Sequence, residues 1–259
     1  MQPILFYYST ALLMAVLAWC PLKAQVVNIE EQRITGTNDS THWYGHLRAS
    51  AALAKVRQQS LQLSGEARVE YKSDPHMVLL LIHESLLRAG GSDFTNLAFA
   101  HLRYNYKFSA TWVGEIYTQL QTSPLQLLQE RRLLGAGLRW RLFKSADGRQ
   151  RLYAGTSWLW ERNHFSGSDA AQYWNRSSNY LSLTLRAGKQ SSLTGTTYWQ
   201  PVWGLIRNYR VSTTWVLKIA LTKKVALNID FTYYLDKNLP AGAPAETYSW
   251  RNGVTWQLK

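Results

Sequence analysis

The side chains that could do chemistry in this sequence are charged residues that recur at every second position. Glu66, Arg68 and Glu70 alternate with small or apolar residues, and Arg139 and Arg141 follow the same spacing. In an extended chain this spacing places the charges on one face. Rings or clusters of Arg and Lys on such a face favour anions. The pattern therefore predicts electrostatic attraction of a small anionic solute.

Catalytic and metal-binding patterns are weak by comparison. The chain has 1 Cys and 6 His, and no phosphate-binding glycine loop, serine nucleophile motif or paired acids stand out. His101 with Glu115 is the candidate pair for a hydrolase, and a hydrogen-bonded structural histidine is the simpler interpretation. We predict a protein that is not an enzyme and that uses no metal or cofactor.

The composition narrows the class of protein further. The net charge is +13, from 29 Lys and Arg against 16 Asp and Glu, which suggests nucleic acid or an anionic surface as a neighbour. Charged residues are nevertheless only 17% of the chain, while aromatic residues are 13%, with 12 Trp and 15 Tyr. So many aromatic residues argue against a disordered chain.

The N-terminus has the features of an export signal. Residues 4–19 are uncharged and mostly apolar, and the small residue Ala24 follows at a suitable cleavage distance. We predict a signal peptide over residues 1–24, a polar lead-in over 25–42 and one domain over 43–259. Lipidation of Cys20 is an alternative, since residues 17–20 resemble a lipoprotein box. Export makes nucleic acid an unsuitable partner, and we expect none.

Alternation with a period of two dominates the rest of the chain and predicts β-strands. In residues 225–234, for example, Val, Leu, Ile, Phe and Tyr occupy one face. The predicted strands cover 43–55, 58–72, 76–88, 94–107, 110–122, 129–143, 150–163, 174–188, 192–205, 210–222, 224–236 and 246–259. The segment 76–88 fits least well because residues 78–82 are continuously apolar.

Strand length and connections distinguish a membrane barrel from a soluble β-sandwich. Segments of about ten or more residues suit tilted membrane strands, whereas globular strands average about 5–6 residues. Short connections alternate with longer polar ones, as periplasmic turns alternate with external loops in outer-membrane barrels. A sandwich would need more exposed charge. We predict an all-β fold, a closed antiparallel transmembrane β-barrel of about twelve strands.

The register of the alternation assigns residues to the two faces. The predicted lumen-lining residues are Arg48, Glu66, Arg68, Glu70, His101, Arg103, Glu115, Arg131, Arg139, Arg141, Glu161, Arg186, Lys218, Asp230 and Arg251. The predicted membrane-interface aromatics are Trp43, Tyr71, Tyr104, Tyr106, Trp112, Trp158, Trp160, Trp174, Trp215, Tyr233, Trp250 and Trp256. Basic residues predicted on the outside, where they could pair with lipopolysaccharide phosphates, are Arg57, Arg162, Arg176, Arg207 and Arg210.

The end of the chain has the pattern of an assembly signal. Gly253, Trp256 and Leu258 stand at the spacing by which bacterial outer-membrane barrels engage the barrel assembly machinery, with Lys259 after the last apolar residue. We therefore expect that machinery to be a partner of the chain.

Five stretches carry a family resemblance: VVNIE at 26–30, NLAFAHLRYNY at 96–106, EIYTQLQ at 115–121, RRLLGAGLRWR at 131–141 and GTSWLWE at 155–161. Through them the chain resembles the salt-induced outer-membrane protein family, domain of unknown function 481, common in Bacteroidetes-type bacteria. The resemblance implies an outer-membrane β-barrel of a Gram-negative bacterium. It implies no established activity.

Two functions stay open at this point. The first is a small basic-lined channel or solute-binding barrel for anionic solutes. The second is a closed structural or adhesion barrel that acts through external loops at 163–174 and 236–245. An outer-membrane hydrolase is the least favoured. Outer-membrane lipid and lipopolysaccharide are the expected surroundings in each case.

Overall fold

The computed structural model describes residues 42–55, 59–90, 92–188, 191–222 and 224–256. The strands are β1 (His42–Lys55), β2 (Gln59–Ser73), β3 (His76–Ala89), β4 (Ser92–Lys107), β5 (Trp112–Ser123), β6 (Leu128–Lys144), β7 (Arg151–Phe165), β8 (Gln172–Ala187), β9 (Ser191–Val202), β10 (Leu205–Ala220), β11 (Val225–Asp236) and β12 (Glu246–Trp256). A 3₁₀ turn at Pro124–Gln126 joins β5 to β6. The predicted signal peptide, the lead-in up to residue 41, Arg57 and Leu258 lie outside the described residues.

All of these strands belong to one 12-stranded sheet, in which each strand pairs antiparallel with the next along the chain. The prediction of an all-β fold of twelve antiparallel strands is confirmed. A single sheet also differs from a sandwich, which needs two. Within the described residues the sheet runs from β1 to β12 without hydrogen bonding between these two edge strands.

The predicted strand boundaries differ most from the structure at β10. The sequence predicts a loop over 206–209, whereas β10 begins at Leu205. Gly204 has a φ of +74°, a left-handed conformation that glycine adopts readily, and this permits a tight turn directly after β9. The pairing of β10 with β9 then shifts between Leu205 and Tyr209, as at a β-bulge.

The apolar run in β3 has a structural explanation. Leu79 and Leu81 are buried and pack with Phe99 of β4. Ile82, on the opposite face, is exposed. Both faces of β3 are therefore apolar at this level, so that the strand lacks the alternation of polarity seen elsewhere.

The two faces of the sheet differ in polarity. On β6, Leu134, Leu138 and Trp140 are exposed, whereas Arg131 and Arg139 on the opposite face are buried. We call the face with the buried polar side chains the inner face and the other the outer face. Apolar residues outside and polar residues inside are the reverse of a water-soluble fold, where apolar side chains form the interior.

The connections define two ends of the sheet. The loop end carries the connections at 124–127, 166–171 and 237–245, and the turn end carries those at 74–75, 108–111 and 145–150.

In the turn at 145–150, Ser145 and the backbone N–H of Arg149 each donate a hydrogen bond to the Asp147 carboxylate, and these hydrogen bonds lower the pKa of Asp147. Among the described residues, no helix has the length and apolar character needed to cross a membrane.

Candidate functional site

The inner face is curved, because side chains on strands that are not neighbours contact each other. Tyr180 of β8 donates a hydrogen bond to Glu115 of β5 at 3.0 Å. Arg131 of β6 lies 3.5 Å from Asp236 of β11, across a separation of 105 residues in the chain. Five steps along the sheet separate β6 from β11. The sheet therefore curls around a polar interior that the Arg131–Asp236 pair spans.

A buried ion-pair network occupies the loop end of this interior. We call Arg131, Glu161, Arg176, Arg210 and Asp236 the rim cluster, since each side chain is at most 3% exposed. Arg210 donates from Nη1 and Nη2 to the two carboxylate oxygens of Glu161, at 2.9 and 3.0 Å. Its Nε donates to Asp236 at 3.0 Å. One guanidinium thus holds both carboxylates.

The two other arginines complete the rim cluster. Arg131 donates to Asn163 at 2.8 Å in addition to its contact with Asp236. Arg176 lies 3.5 Å from Glu161 and donates to the backbone oxygen of Gln200 at 3.0 Å. Three guanidinium groups therefore meet two carboxylates, which leaves the cluster with a net positive charge. Arg suits such sites, because its planar donors can bond several oxygens at once.

A second polar group lies nearer the turn end. Arg103 donates to Glu115 at 3.2 Å, and its guanidinium lies 4.7 Å from the centre of the Tyr117 ring. His101 shares a hydrogen bond with Gln119 at 3.1 Å. Arg103 also donates a hydrogen bond to His101. It therefore lies between His101 and Glu115, the two residues that the sequence offered as a candidate hydrolase pair. Hydrogen bonds therefore link Glu115, Arg103, His101 and Gln119 into one network.

Two tyrosines reach across glycines on this inner face. A Cβ at Gly135 would lie 2.3 Å from the Tyr117 ring, and a Cβ at Gly155 would lie 2.1 Å from the Tyr180 ring. Tyr117 continues to a 2.8 Å hydrogen bond with Ser157. The glycines therefore leave the space through which the tyrosines cross, and the interior is partly filled at this level.

A third group consists of basic side chains towards the turn end. We call Arg139, Arg141, Arg151, Arg186 and Lys218 the basic wall; all occupy inner-face positions of β6, β7, β8 and β10. The Arg139 guanidinium lies 3.9 Å from the centre of the Tyr153 ring, a cation–π contact. Arg186 and Lys218 both pair with Ser192, one from each side. Positive charge therefore continues from the rim cluster towards the turn end.

The structure places every predicted lumen residue at an inner-face position of its strand. Besides the groups above, Arg48 is directly opposite Glu66, Arg251 is opposite Asp230, and Arg68 bonds the buried Glu70 at 2.6 Å. The sequence did not single out Asp236 or Arg151. The period-two alternation could have found both, because residues two apart in a strand share a face. Asp236 is two residues after Tyr234 and four after Thr232, and Arg151 is two residues before Tyr153.

Two basic residues predicted on the outside are inside. Arg176 is 0% exposed and Arg210 is 3% exposed, so the prediction that they meet lipopolysaccharide is wrong. Both stand towards the loop ends of their strands, β8 and β10. The alternation gives the correct face, because Arg210 is two residues before the buried Ser212 and so points to the same side of β10. Arg162 does lie on the outer face, and Arg207 is exposed in the stretch where the pairing of β10 with β9 shifts.

Aromatic residues populate the outer face near strand ends. Trp112 stacks on Trp140 at 5.4 Å, and Trp43 packs on Tyr71 at 4.7 Å. Outer-face positions also hold Tyr104, Tyr106, Trp158, Trp160, Trp215, Tyr233, Trp250 and Trp256. Trp174 differs, since it shares the inner face of β8 with Arg176; its predicted interface position is wrong.

No group of three or more His, Cys, Asp or Glu side chains is placed to hold a metal ion in the described part of the chain. His42 and His46 are four residues apart, a spacing that brings two ligands together on a helix. On strand β1 it separates them by about 13 Å.

Fold and site together define a twelve-stranded antiparallel β-protein with a basic, polar interior and an apolar exterior. Residues 32–253 match the family described as "Protein of unknown function, DUF481", and the chain belongs to that family. The family predicted from the five short stretches is thereby confirmed. No curated protein matches the chain in sequence.

Two solved structures are similar to this chain. One is the NanC porin in a rhombohedral crystal form, 14% identical with a TM-score of 0.47, covering 83% of this chain and 98% of that chain. The other is OccK11 (OpdR) of Pseudomonas aeruginosa, 9% identical with a TM-score of 0.35, covering 83% of this chain and 79% of that chain.

Proposed function

We propose that the chain is a closed outer-membrane β-barrel without enzymatic activity, whose basic interior admits small anionic solutes. The observation that carries the proposal is the charge of the inner face. In the described strands the inner-face basic residues outnumber the acidic ones, and the rim cluster and basic wall both have excess positive charge. Such a lining lowers the energy of an anion relative to a cation.

The outer face supports the membrane location. Exposed Leu, Ile and Trp side chains along β4, β5 and β6 would be unfavourable in water and suit lipid. Interfacial Trp and Tyr flank this apolar band, as in outer-membrane barrels. We include the barrel assembly machinery as a partner, because β12 presents Gly253 and Trp256 at the edge of the sheet.

Closure between β1 and β12 completes the proposed barrel. The even number of strands makes these two edges antiparallel. Within the described strands each edge has one side without a neighbouring strand, and a membrane does not tolerate unpaired backbone groups. Their inner-face residues, such as Ser50 and Ser249, would then face the same interior.

Cysteine cross-linking tests this closure. In a Cys20→Ser background, Ser50→Cys combined in turn with Thr247→Cys, Ser249→Cys and Arg251→Cys should give one efficient disulfide, since bonding needs Cα atoms about 4.4–6.8 Å apart. Tyr248→Cys, on the outer face of β12, and Ser182→Cys, on β8, are controls that should not cross-link with Ser50→Cys. Absence of a bond in the whole β12 series would contradict closure.

Current through planar bilayers tests the passage. We expect discrete conductance steps and a reversal potential in a KCl gradient that indicates chloride preference. A folded, membrane-inserted protein that conducts no current would contradict the channel. It would favour the second function, a closed structural or adhesion barrel, for which the Arg131–Asp236 contact across the interior is the supporting observation.

A further inference from the structure

Two arginines face each other on the outer surface near the loop end. Arg132 of β6 is directly opposite Arg162 of β7 in the ladder. Their side chains are 56% and 27% exposed. Like charges directly opposite on one face of a sheet repel each other and destabilise the pairing. A neighbouring anionic group would reduce this repulsion by charge compensation.

Glu130 supplies part of that compensation. One of its carboxylate oxygens accepts a hydrogen bond from Arg132 at 2.7 Å, and the other accepts one from Arg162. A single carboxylate between two guanidinium groups leaves one net positive charge. Each guanidinium has five N–H donors, more than Glu130 can accept from both. The three side chains thus form a preassembled site for a further anion.

The surroundings indicate which anion this is. Trp160 and Tyr173 lie beside the arginines with their rings 6.2 Å apart, and the exposed Leu134 follows towards the middle of β6. From the loop end towards the middle of the strand, the outer surface is first positively charged, then aromatic, then aliphatic. This order matches the headgroups, the interface and the acyl chains of one membrane leaflet. An arginine on the lipid-facing side is tolerated far better near this interface than at the bilayer midplane.

We propose that Arg132 and Arg162, held by Glu130, bind the phosphate of an outer-leaflet lipid, the phosphorylated lipid A of lipopolysaccharide. The proposal rests on the outer-membrane location proposed above and is independent of whether the barrel conducts. Arg binds phosphate oxygens through paired, charge-assisted hydrogen bonds. The acyl chains of such a lipid would lie along Leu134 and Trp160.

Thermal stability in vesicles with and without lipopolysaccharide tests the site. The full chain is placed in phosphatidylcholine vesicles, and its unfolding midpoint is measured by heat-modifiable gel migration against added lipid A. We expect Arg132→Gln with Arg162→Gln to weaken the stabilising effect by at least about tenfold in lipid A concentration. Glu130→Gln should strengthen it, because the variant removes a negative charge that competes with the phosphate, while the glutamine side-chain oxygen can still accept a hydrogen bond from an arginine.

The controls separate this site from general charge effects. Arg149→Gln removes a similarly exposed arginine, paired with Asp147 at 3.6 Å in a turn at the opposite end, and should leave lipid A binding unchanged. Lipid A without phosphates should give the wild-type protein no stabilisation. If the double variant does not fold, Arg132→Gln alone, in the more exposed residue, serves instead.

Several results would overturn the proposal. Unchanged lipid A dependence in the arginine variants would do so, as would weaker binding in Glu130→Gln. Equal protection by inorganic phosphate would identify a free-anion site instead of a lipid site. If the wild-type protein does not insert into vesicles at all, the outer-membrane location is contradicted. This result differs from the loss of lipid A binding in a variant that does insert.

Discussion

Arg210→Met is expected to lower the free energy of unfolding by about 3–5 kcal/mol, the usual effect of removing one partner from a buried ion pair. Arg210 is the residue that bonds both Glu161 oxygens and Asp236. Methionine has a similar length, so little packing is lost, but the two buried carboxylates lose their shared partner. Denaturant unfolding of the vesicle-inserted protein, followed by tryptophan fluorescence, measures the change.

Two companion variants identify the cause of this loss. Arg207→Met changes an exposed arginine of the same strand, and its effect should stay within about 0.5 kcal/mol. Adding Asp236→Asn to Arg210→Met should recover part of the stability, because the carboxylate that lost Arg210 is then neutral, while Glu161 keeps Arg176 at 3.5 Å and Arg131 keeps its hydrogen bond to Asn163. If the double variant is as unstable as Arg210→Met, the effect comes from packing and the electrostatic explanation is wrong.

Reversing charge in the basic wall should remove the anion preference of the proposed channel. Two unit charges about 8 Å apart in water interact by about 0.5 kcal/mol, which salt screening reduces. Arg186→Glu with Lys218→Glu changes two positive charges to negative ones beside a passing ion. We expect the ratio of chloride to potassium permeability to fall about tenfold, measured as a shift of the reversal potential in a KCl gradient.

Arg149→Glu is the matched control for this selectivity change. It makes the same reversal at the same end of the sheet, in the 145–150 turn, outside the strands. Its reversal potential should remain that of the wild-type protein. Equal shifts in the control and in the double variant would indicate a general surface-charge effect, and no shift in either would exclude the basic wall as the selectivity determinant.

The rim cluster and the basic wall have different expected roles. The rim cluster is buried and internally bonded, so its variants should act mainly on stability. Arg186 and Lys218 are exposed on the inner face, so their variants should act on ions in the interior and little on stability. The two sets of variants therefore give separable readouts on one protein.

The sequence by itself determined the strands and the face of most residues. Alternation is local: each side chain points opposite to its neighbour, so a charged residue such as Arg139 is assigned to a face from residues within a few positions of it. The same reasoning assigns Leu134 and Trp140 to the opposite face. The external positions predicted for Arg176 and Arg210 are wrong, although the same alternation places both on the inner face.

Only the tertiary structure decided which inner-face residues meet. The contact between Arg131 and Asp236 joins positions 105 residues apart, and Tyr180 reaches Glu115 over the backbone of Gly155. Such contacts depend on the curvature of the sheet and the stagger of its strands, which accumulate over many strand pairs. A period-two pattern carries no information about either, because it repeats identically on every strand. The sequence therefore shows that the interior is basic, and the folded chain shows where its charges are paired.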